Sequence, residues 1–278
     1  MKFFVLLSLV LACWIIVAPS CMRLRITDSK AIQEFREVGV GLTTNTIKVN
    51  NKHLHYVVVG SDTLPTIVFV HGSPGSWDAF KEYLKDKNLL EKYRMVAIDR
   101  PGFGYSDFGD ALHLQAQSLL ISPLFHILKN NKPIYLVGHS LGGPLIVQLA
   151  ADNPNTISAL VILAGAIDLS LEKPEKWRPL LMNNPLKFLV PGALRPANEE
   201  LWYLKQDLKQ LNPVFSKIVC HVFILHGDKD PLVDYGNLAF GVKAFSHAVK
   251  IDTLTFSGAN HFIPWTRFDG IKQVLLNL

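Results

Sequence analysis

Residues Tyr135–Gly143 read Tyr-Leu-Val-Gly-His-Ser-Leu-Gly-Gly, or YLVGHSLGG. An apolar run of strand character ends in one serine between glycines, and the following GGPLIVQLAADN carries apolar residues at helical spacing. A strand that turns this sharply into a helix holds its serine in a strained backbone conformation. Glycine is needed at 138 and 142, where a side chain would collide with the neighbouring strand or helix. The serine then sits at a helix N-terminus, where unpaired N–H groups and the helix dipole favour negative charge. A serine that merely caps the helix is the plainer alternative; the setting between a strand-like and a helix-like run, mid-chain, favours a nucleophile at Ser140.

Working outward, TIKVNN and LHYVVVG predict a first hairpin, and TIVFVHG, YRMVAIDRPG, PIYLVGHS, ISALVILAGA, VCHVFILHG and VKIDTLTFSG predict separate strands. Several are nearly continuous in Val, Ile and Leu, the mark of strands buried on both faces. The segments AFKEYLKDKNLLEKY, HLQAQSLLISPLFHILKN and GGPLIVQLAADN between them have helical periodicity. This alternation predicts an α/β fold, a mostly parallel central sheet flanked by helices. Functional residues of such sheets gather at the carboxyl ends of the strands. With 278 residues, 49% hydrophobic and 18% charged, one large domain is expected and disorder is excluded. The net charge of +5 is scattered, with no dense Lys/Arg block, so no nucleic-acid partner is expected.

An unassisted serine hydroxyl is a poor nucleophile, so a base, an acid to orient it and donors for the developing oxyanion must be found elsewhere. The strand ends supply candidates: His71-Gly72-Ser73-Pro74-Gly75, Asp99-Arg100-Pro101-Gly102-Phe103-Gly104-Tyr105-Ser106, His226-Gly227-Asp228-Lys229-Asp230-Pro231 and Gly258-Ala259-Asn260-His261. Together with the elbow, these residues resemble the α/β-hydrolase family from about Thr46 to the end of the chain.

The resemblance implies the chain order Ser140, Asp230, His261 for nucleophile, acid and base. Asp228 and Asp168 are the rival acids. It also assigns the oxyanion donors to the backbone N–H groups of Ser73, in the HG-x-P-like loop, and of Leu141. The D-x-P-G-x-G-x-S-like stretch from Asp99 is read as structural. Residues from about 169 to 215 break the alternation, read as short helices interrupted by proline, and lie where the family inserts a cap. The implied activity is serine hydrolysis of small or medium acyl esters, with a small-molecule ester or lipid-like substrate. Carbon–carbon, lactone or amide hydrolysis and acyl transfer are alternatives of the same constellation, and an inactive binding scaffold is a further one. Epoxide hydrolases and haloalkane dehalogenases of this fold use an aspartate nucleophile, so serine at 140 argues against both. No cofactor or metal is expected: no G-x-G-x-x-G follows a strand, and His53 and His55 lack a third ligand and read as surface histidines.

The N-terminus stands apart. Lys2 precedes FFVLLSLVLACWIIVAPSC, an apolar run that points to export. Its end, Ala18-Pro19-Ser20-Cys21, is similar to a bacterial lipobox, although Ala18 stands where leucine is usual. Residues 1–21 are therefore expected to be a lipoprotein signal with Cys21 as the lipidation site, or a cleaved signal peptide, or a membrane anchor, leaving residues 22–278 as the hydrolase domain. The implied place is the bacterial cell envelope, membrane-anchored and facing the periplasm or exterior, or else periplasmic or secreted. Of Cys13, Cys21 and Cys220, only the last would lie in the mature domain, as a buried small hydrophobe.

Overall fold

The computed structural model describes residues 2–278. Its centre is an eight-stranded sheet: β1 (Thr43–Val49), β2 (Lys52–Val59), β3 (Thr66–Val70), β4 (Arg94–Ile98), β5 (Ile134–His139), β6 (Ile157–Leu163), β7 (His221–Gly227) and β8 (Ile251–Phe256). The spatial order is β1-β2-β4-β3-β5-β6-β7-β8. The β1–β2 and β2–β4 pairs are antiparallel and the remaining pairs parallel. Every predicted strand is present. Strands β3, β4 and β5 are buried on both faces, which is why their sequences read as unbroken apolar runs rather than alternating ones.

Within them the pleat sends alternate residues to two cores. Val68, Val70, Val96, Ile98 and Leu136 enter one core, while Ile67, Phe69, Met95, Ala97 and Val137 enter the other. Apart from α1 (Lys2–Val17), which lies off the sheet, helices cover both faces: α2 (Asp28–Glu37), α3 (Lys81–Lys85), α4 (Lys87–Lys92), α5 (Leu114–Ile121), α6 (Pro123–Leu128), α7 (Gly142–Asp152), α8 (Leu194–Leu211), α9 (Gly236–Ala244), α10 (Ile263–Thr266) and α11 (Phe268–Leu275). Helices α5 to α8 pack on the first core, and α2, α3, α4 and α11 on the second.

Two long helical readings are interrupted. Asp86 adopts an extended conformation and its carboxylate accepts the Leu89 N–H at 3.0 Å, capping α4 and separating it from α3. Pro123, at the first position of α6, separates that helix from α5. The region between β6 and β7 departs from the expected short helices. It opens with 3₁₀ turns at Arg178–Leu181 and Leu186–Leu189, but then forms the 18-residue α8. Pro196 lies in the first turn of α8, where a missing N–H costs no helical bond, so it does not break the helix.

The N-terminal segment packs against this cap. Gly192 N–H donates to the Ala18 carbonyl at 2.9 Å and Ala193 N–H to the Met22 carbonyl at 3.0 Å, just before α8 begins. Trp14 Nε1 donates to the Leu189 carbonyl at 2.9 Å. Ser76, beyond the loop that follows β3, donates its hydroxyl to the Leu24 carbonyl at 2.6 Å. Among the described residues no helix is long and apolar enough to cross a membrane.

Candidate active site

The elbow is built by close backbone approach. A Cβ at Gly138 would stand 2.3 Å from the Gly142 carbonyl oxygen, and one at Gly142 would stand 2.4 Å from that of Val70. No side chain fits either gap. Ser140 itself has φ of +54°, in the left-handed region that disfavours a non-glycine residue. The strain is held by flanking bonds: Ser140 N–H donates to Leu163 on β6 at 2.9 Å, and Gly143 N–H to the Ser140 carbonyl at 2.9 Å. The side chain is left half-exposed at the carboxyl end of β5.

Asp230 and His261 arrive from two other strand ends. Asp230, after β7, is buried; its Oδ1 accepts the N–H groups of Leu232 at 2.8 Å and Val233 at 2.9 Å, which fixes the carboxylate. His261 Nδ1 donates to Asp230 Oδ2 at 2.7 Å. His226 Nε2 lies 3.3 Å from the same oxygen. Burial alone would raise the Asp230 pKa, but the bonds from His226, His261 and Val233 outweigh it and hold the carboxyl well below the usual range. Asp230 is therefore ionised at neutral pH.

His139 joins the two halves of the site. Its Nε2 donates to the His261 carbonyl at 3.0 Å, and its ring lies 4.8 Å from that of His261 and edge-on to Trp265 at 5.3 Å. Burial, reinforced by His261, lowers the His139 pKa to about 3, so this ring stays neutral. Ser140 follows His139 directly. Among the described residues the Ser140 hydroxyl makes no hydrogen bond, to His261 or to any other group; catalytic bonds of free enzymes commonly tighten only when substrate binds.

The loop after β3 runs against the serine: a Cβ at Gly72 would stand 2.9 Å from Ser140 Cβ. The backbone N–H groups of Ser73 and Leu141 have no protein acceptor among the described residues. Asp228 instead accepts the Gly258 N–H at 2.7 Å, tying the loop after β7 to the one after β8. Asp168 accepts the N–H and hydroxyl of its neighbour Ser170, both at 2.8 Å. Among the described residues neither rival carboxylate pairs with a histidine.

In the stretch from Asp99, the Asp99 carboxylate organises the backbone around it. Asp99 is fully buried and accepts the N–H groups of Trp77 at 2.8 Å and Tyr105 at 2.9 Å, together with His55 Nδ1 at 2.8 Å. That last contact corrects the surface reading of His55, which is buried between Asp99 and Asp28, whereas His53 is exposed and bonds Asp107. The pairing with carboxylates across the chain is invisible in local sequence. Among the described residues no three metal-ligating side chains converge. Cys220 is half-buried against the core, and burial raises its thiol pKa to about 11. His139, His226 and the Arg100–Glu200 pair lie close to His261, Asp230 and the Gly72 loop, and the motif reading gave them no role. The first three lie inside quoted motifs, and Glu200 has no local signal at all.

Sheet order, elbow and strand-end residues together define an α/β hydrolase by fold, and the chain is a member of that fold class. The family model for the alpha/beta hydrolase fold matches residues 65–189. Epoxide hydrolase 1 of Caenorhabditis elegans is 32% identical over 124 residues, covering 44% of this chain and 30% of that protein. The mouse sn-1-specific diacylglycerol lipase ABHD11 is 33% identical over 104 residues, covering 37% of this chain and 34% of that protein. The matched stretch thus spans about a third of the length of each. Among solved structures, a membrane phospholipase A described as a bacterial virulence factor superposes with a TM-score of 0.64 at 21% identity. That superposition covers 100% of this chain and 98% of the other, and at this identity it speaks to fold alone.

Proposed function

We propose that the protein is a serine hydrolase that cleaves ester bonds of small or medium acyl substrates through an acyl-enzyme on Ser140. The observation that carries this reading is the strained serine at the end of β5, whose neighbour His139 bonds the His261 carbonyl, with His261 held in turn at 2.7 Å by a buried, ionised Asp230. With Nδ1 bonded to Asp230, His261 is left with Nε2 as the proton acceptor.

In the proposed cycle Nε2 takes the Ser140 proton as Oγ bonds the substrate carbonyl carbon, and the carbonyl π electrons move onto oxygen. The N–H groups of Ser73 and Leu141 would receive that oxyanion. Collapse re-forms the carbonyl and expels the alkoxide, which takes the proton from His261 and leaves as alcohol. Water then attacks the acyl-enzyme with His261 again as base, releasing the acid and restoring Ser140. Asp230 remains ionised throughout and stabilises the imidazolium.

The relative named as an epoxide hydrolase suggests a second reading. Serine at 140, in place of the aspartate that the family resemblance assigns to epoxide opening, favours acyl transfer. Cleavage of carbon–carbon, lactone or amide bonds would use the same residues with another pocket. The test is labelling with a fluorophosphonate, comparing the chain with Ser140→Ala, alongside turnover of p-nitrophenyl esters of graded chain length. Ser140-dependent labelling with ester turnover is expected; a folded chain that neither labels nor turns over esters would refute the reading.

The same proposal puts the protein on a membrane through residues 1–21. Leu6, Leu9, Val10, Leu11, Trp14 and Ile16 of α1 are exposed, and an apolar surface of that size seeks lipid or a partner. Removal of residues 1–20 for lipidation at Cys21 would strip the Gly192 N–H of its acceptor at Ala18. That bond favours a retained anchor over a cleaved leader.

A further inference from the structure

Acyl transfer at Ser140 gives no role to a buried arginine a few residues away in space. Arg100, two residues beyond the end of β4, is fully buried, and its guanidinium is a hub. Nη1 donates to Glu200 Oε2 at 2.8 Å and Nη2 to Glu200 Oε1 at 2.7 Å, a two-pronged bond to cap helix α8. Nη1 also donates to Gln117 Oε1 on α5 at 3.1 Å. The remaining bond goes to the loop beside the nucleophile: Nη2 donates to the Gly72 carbonyl at 2.9 Å.

His71 supplies a second bond to that carbonyl. The Arg100 backbone N–H donates to His71 Nε2 at 3.0 Å, so Nε2 is an acceptor and the ring hydrogen sits on Nδ1. Nδ1–H then donates to the Gly72 carbonyl at 2.7 Å. Burial, with the Arg100 charge adding to it, keeps His71 neutral by holding its pKa well below the ordinary value. Two buried donors thereby hold one carbonyl.

The peptide that follows turns this into a statement about the site. The Gly72–Ser73 bond is trans, and in a planar trans peptide the carbonyl and the next N–H point in opposite directions. Pinning the Gly72 carbonyl therefore aims the Ser73 N–H, and Gly72 lies against Ser140. We infer that Arg100 is a positioning residue for the oxyanion site: with His71 it aims the Ser73 N–H at the substrate oxygen, and through Glu200 it makes that aim depend on cap helix α8.

Stability alone is a poor account of this cluster. Burying an ion pair costs desolvation that its attraction barely repays, and apolar residues of similar size would hold the cap as well. Arg100 Nε is buried with no partner among the described residues, a further cost of the orientation adopted. The orientation does place one terminal nitrogen on the loop and both on the cap.

The inference rests on the serine-hydrolase reading, and the experiment separates the two. In the full chain, Arg100→Lys and Glu200→Gln are compared with Arg100→Met/Glu200→Leu, which removes both charges and so avoids stranding one in the core. Active sites are counted by fluorophosphonate titration. For p-nitrophenyl butyrate, kcat per titrated site, KM and the inhibition constant of a trifluoromethyl ketone are then measured, because that inhibitor forms a tetrahedral oxyanion on the serine. Losing an oxyanion donor outright costs on the order of a hundredfold or more. Misaiming one is expected to lower kcat roughly tenfold to a hundredfold, with KM moved less than about threefold and the ketone weakened in step with kcat/KM. A fall in melting temperature with kcat per site unchanged in all three variants would overturn the inference and leave the hydrolase reading intact. A folded unmodified chain that neither labels nor turns over esters would overturn both.

Discussion

Replacing His139 with glutamine removes a buried imidazole that the folded state refuses to protonate. The His139 pKa is about 3 in the native protein, whereas an unstructured histidine titrates near about 6.5. Between those values the unfolded chain binds a proton that the native chain does not. Stability contributed by the neutral ring is thus complete above about pH 6.5 and is lost by about 1.4 kcal/mol for each unit that the pH falls. At pH 4.5 the loss from this one group is about 3 kcal/mol.

At pH 7.5 the substitution works the other way. Glutamine can keep a donor for the His261 carbonyl, but the ring contacts with His261 and Trp265 disappear, at a cost of about 1–2 kcal/mol. Urea melts at pH 7.5, 6.0 and 4.5 should show His139→Gln less stable than the parent at the highest pH and equal or more stable at the lowest. His71, also held well below its ordinary pKa, is present in both chains and cancels in the difference. A stability gap independent of pH would refute the reasoning.

Further outcomes are expected. Asp230→Asn should lower kcat by roughly 10⁴, because the amide favours the wrong His261 tautomer, while Asp168→Asn, whose carboxylate only caps a turn, should stay within about threefold in the same kinetic assay. Gly138→Ala puts a Cβ 2.3 Å from the Gly142 carbonyl oxygen and should cost several kcal/mol by denaturant melts, on the order of 3 kcal/mol or more; a shift below about 1 kcal/mol would show that the elbow can relax. The full chain should float with phospholipid vesicles, and the double variant Leu9→Glu/Ile16→Lys should not. Intact mass should retain residues before Cys21, and Cys21→Ser should float like the parent; loss of flotation in Cys21→Ser would favour lipidation instead.

Much of this architecture was legible because its signals are local. Unbroken Val/Ile/Leu runs mark β3, β4 and β5 as buried on both faces, and the glycines around Ser140 mark a turn that no other residue fits. The order Ser140, Asp230, His261 is what the family resemblance implies; local sequence shows only that each lies at or a few residues beyond the carboxyl end of a strand. The long helices at 79–93 and 113–130 were harder, since their interruptions depend on single residues, Asp86 and Pro123, whose capping roles appear only once the chain reverses. Helix α8 was missed in length because Pro196 breaks a helix in its interior and not in its first turn.

The sequence by itself determined the sheet, the elbow and which residue types could carry a proton, because backbone sterics and side-chain periodicity act over a few positions. Only the tertiary structure decided which groups meet. Sequence positions 55 and 99, 100 and 200, 139 and 261 are brought together by strand order and the cap insertion. Hydrogen bonding and burial, which set charge states and aim donors, act through space rather than along the chain, so the ionised Asp230, the neutral His139 and the Arg100 link to Gly72 exist only in the fold.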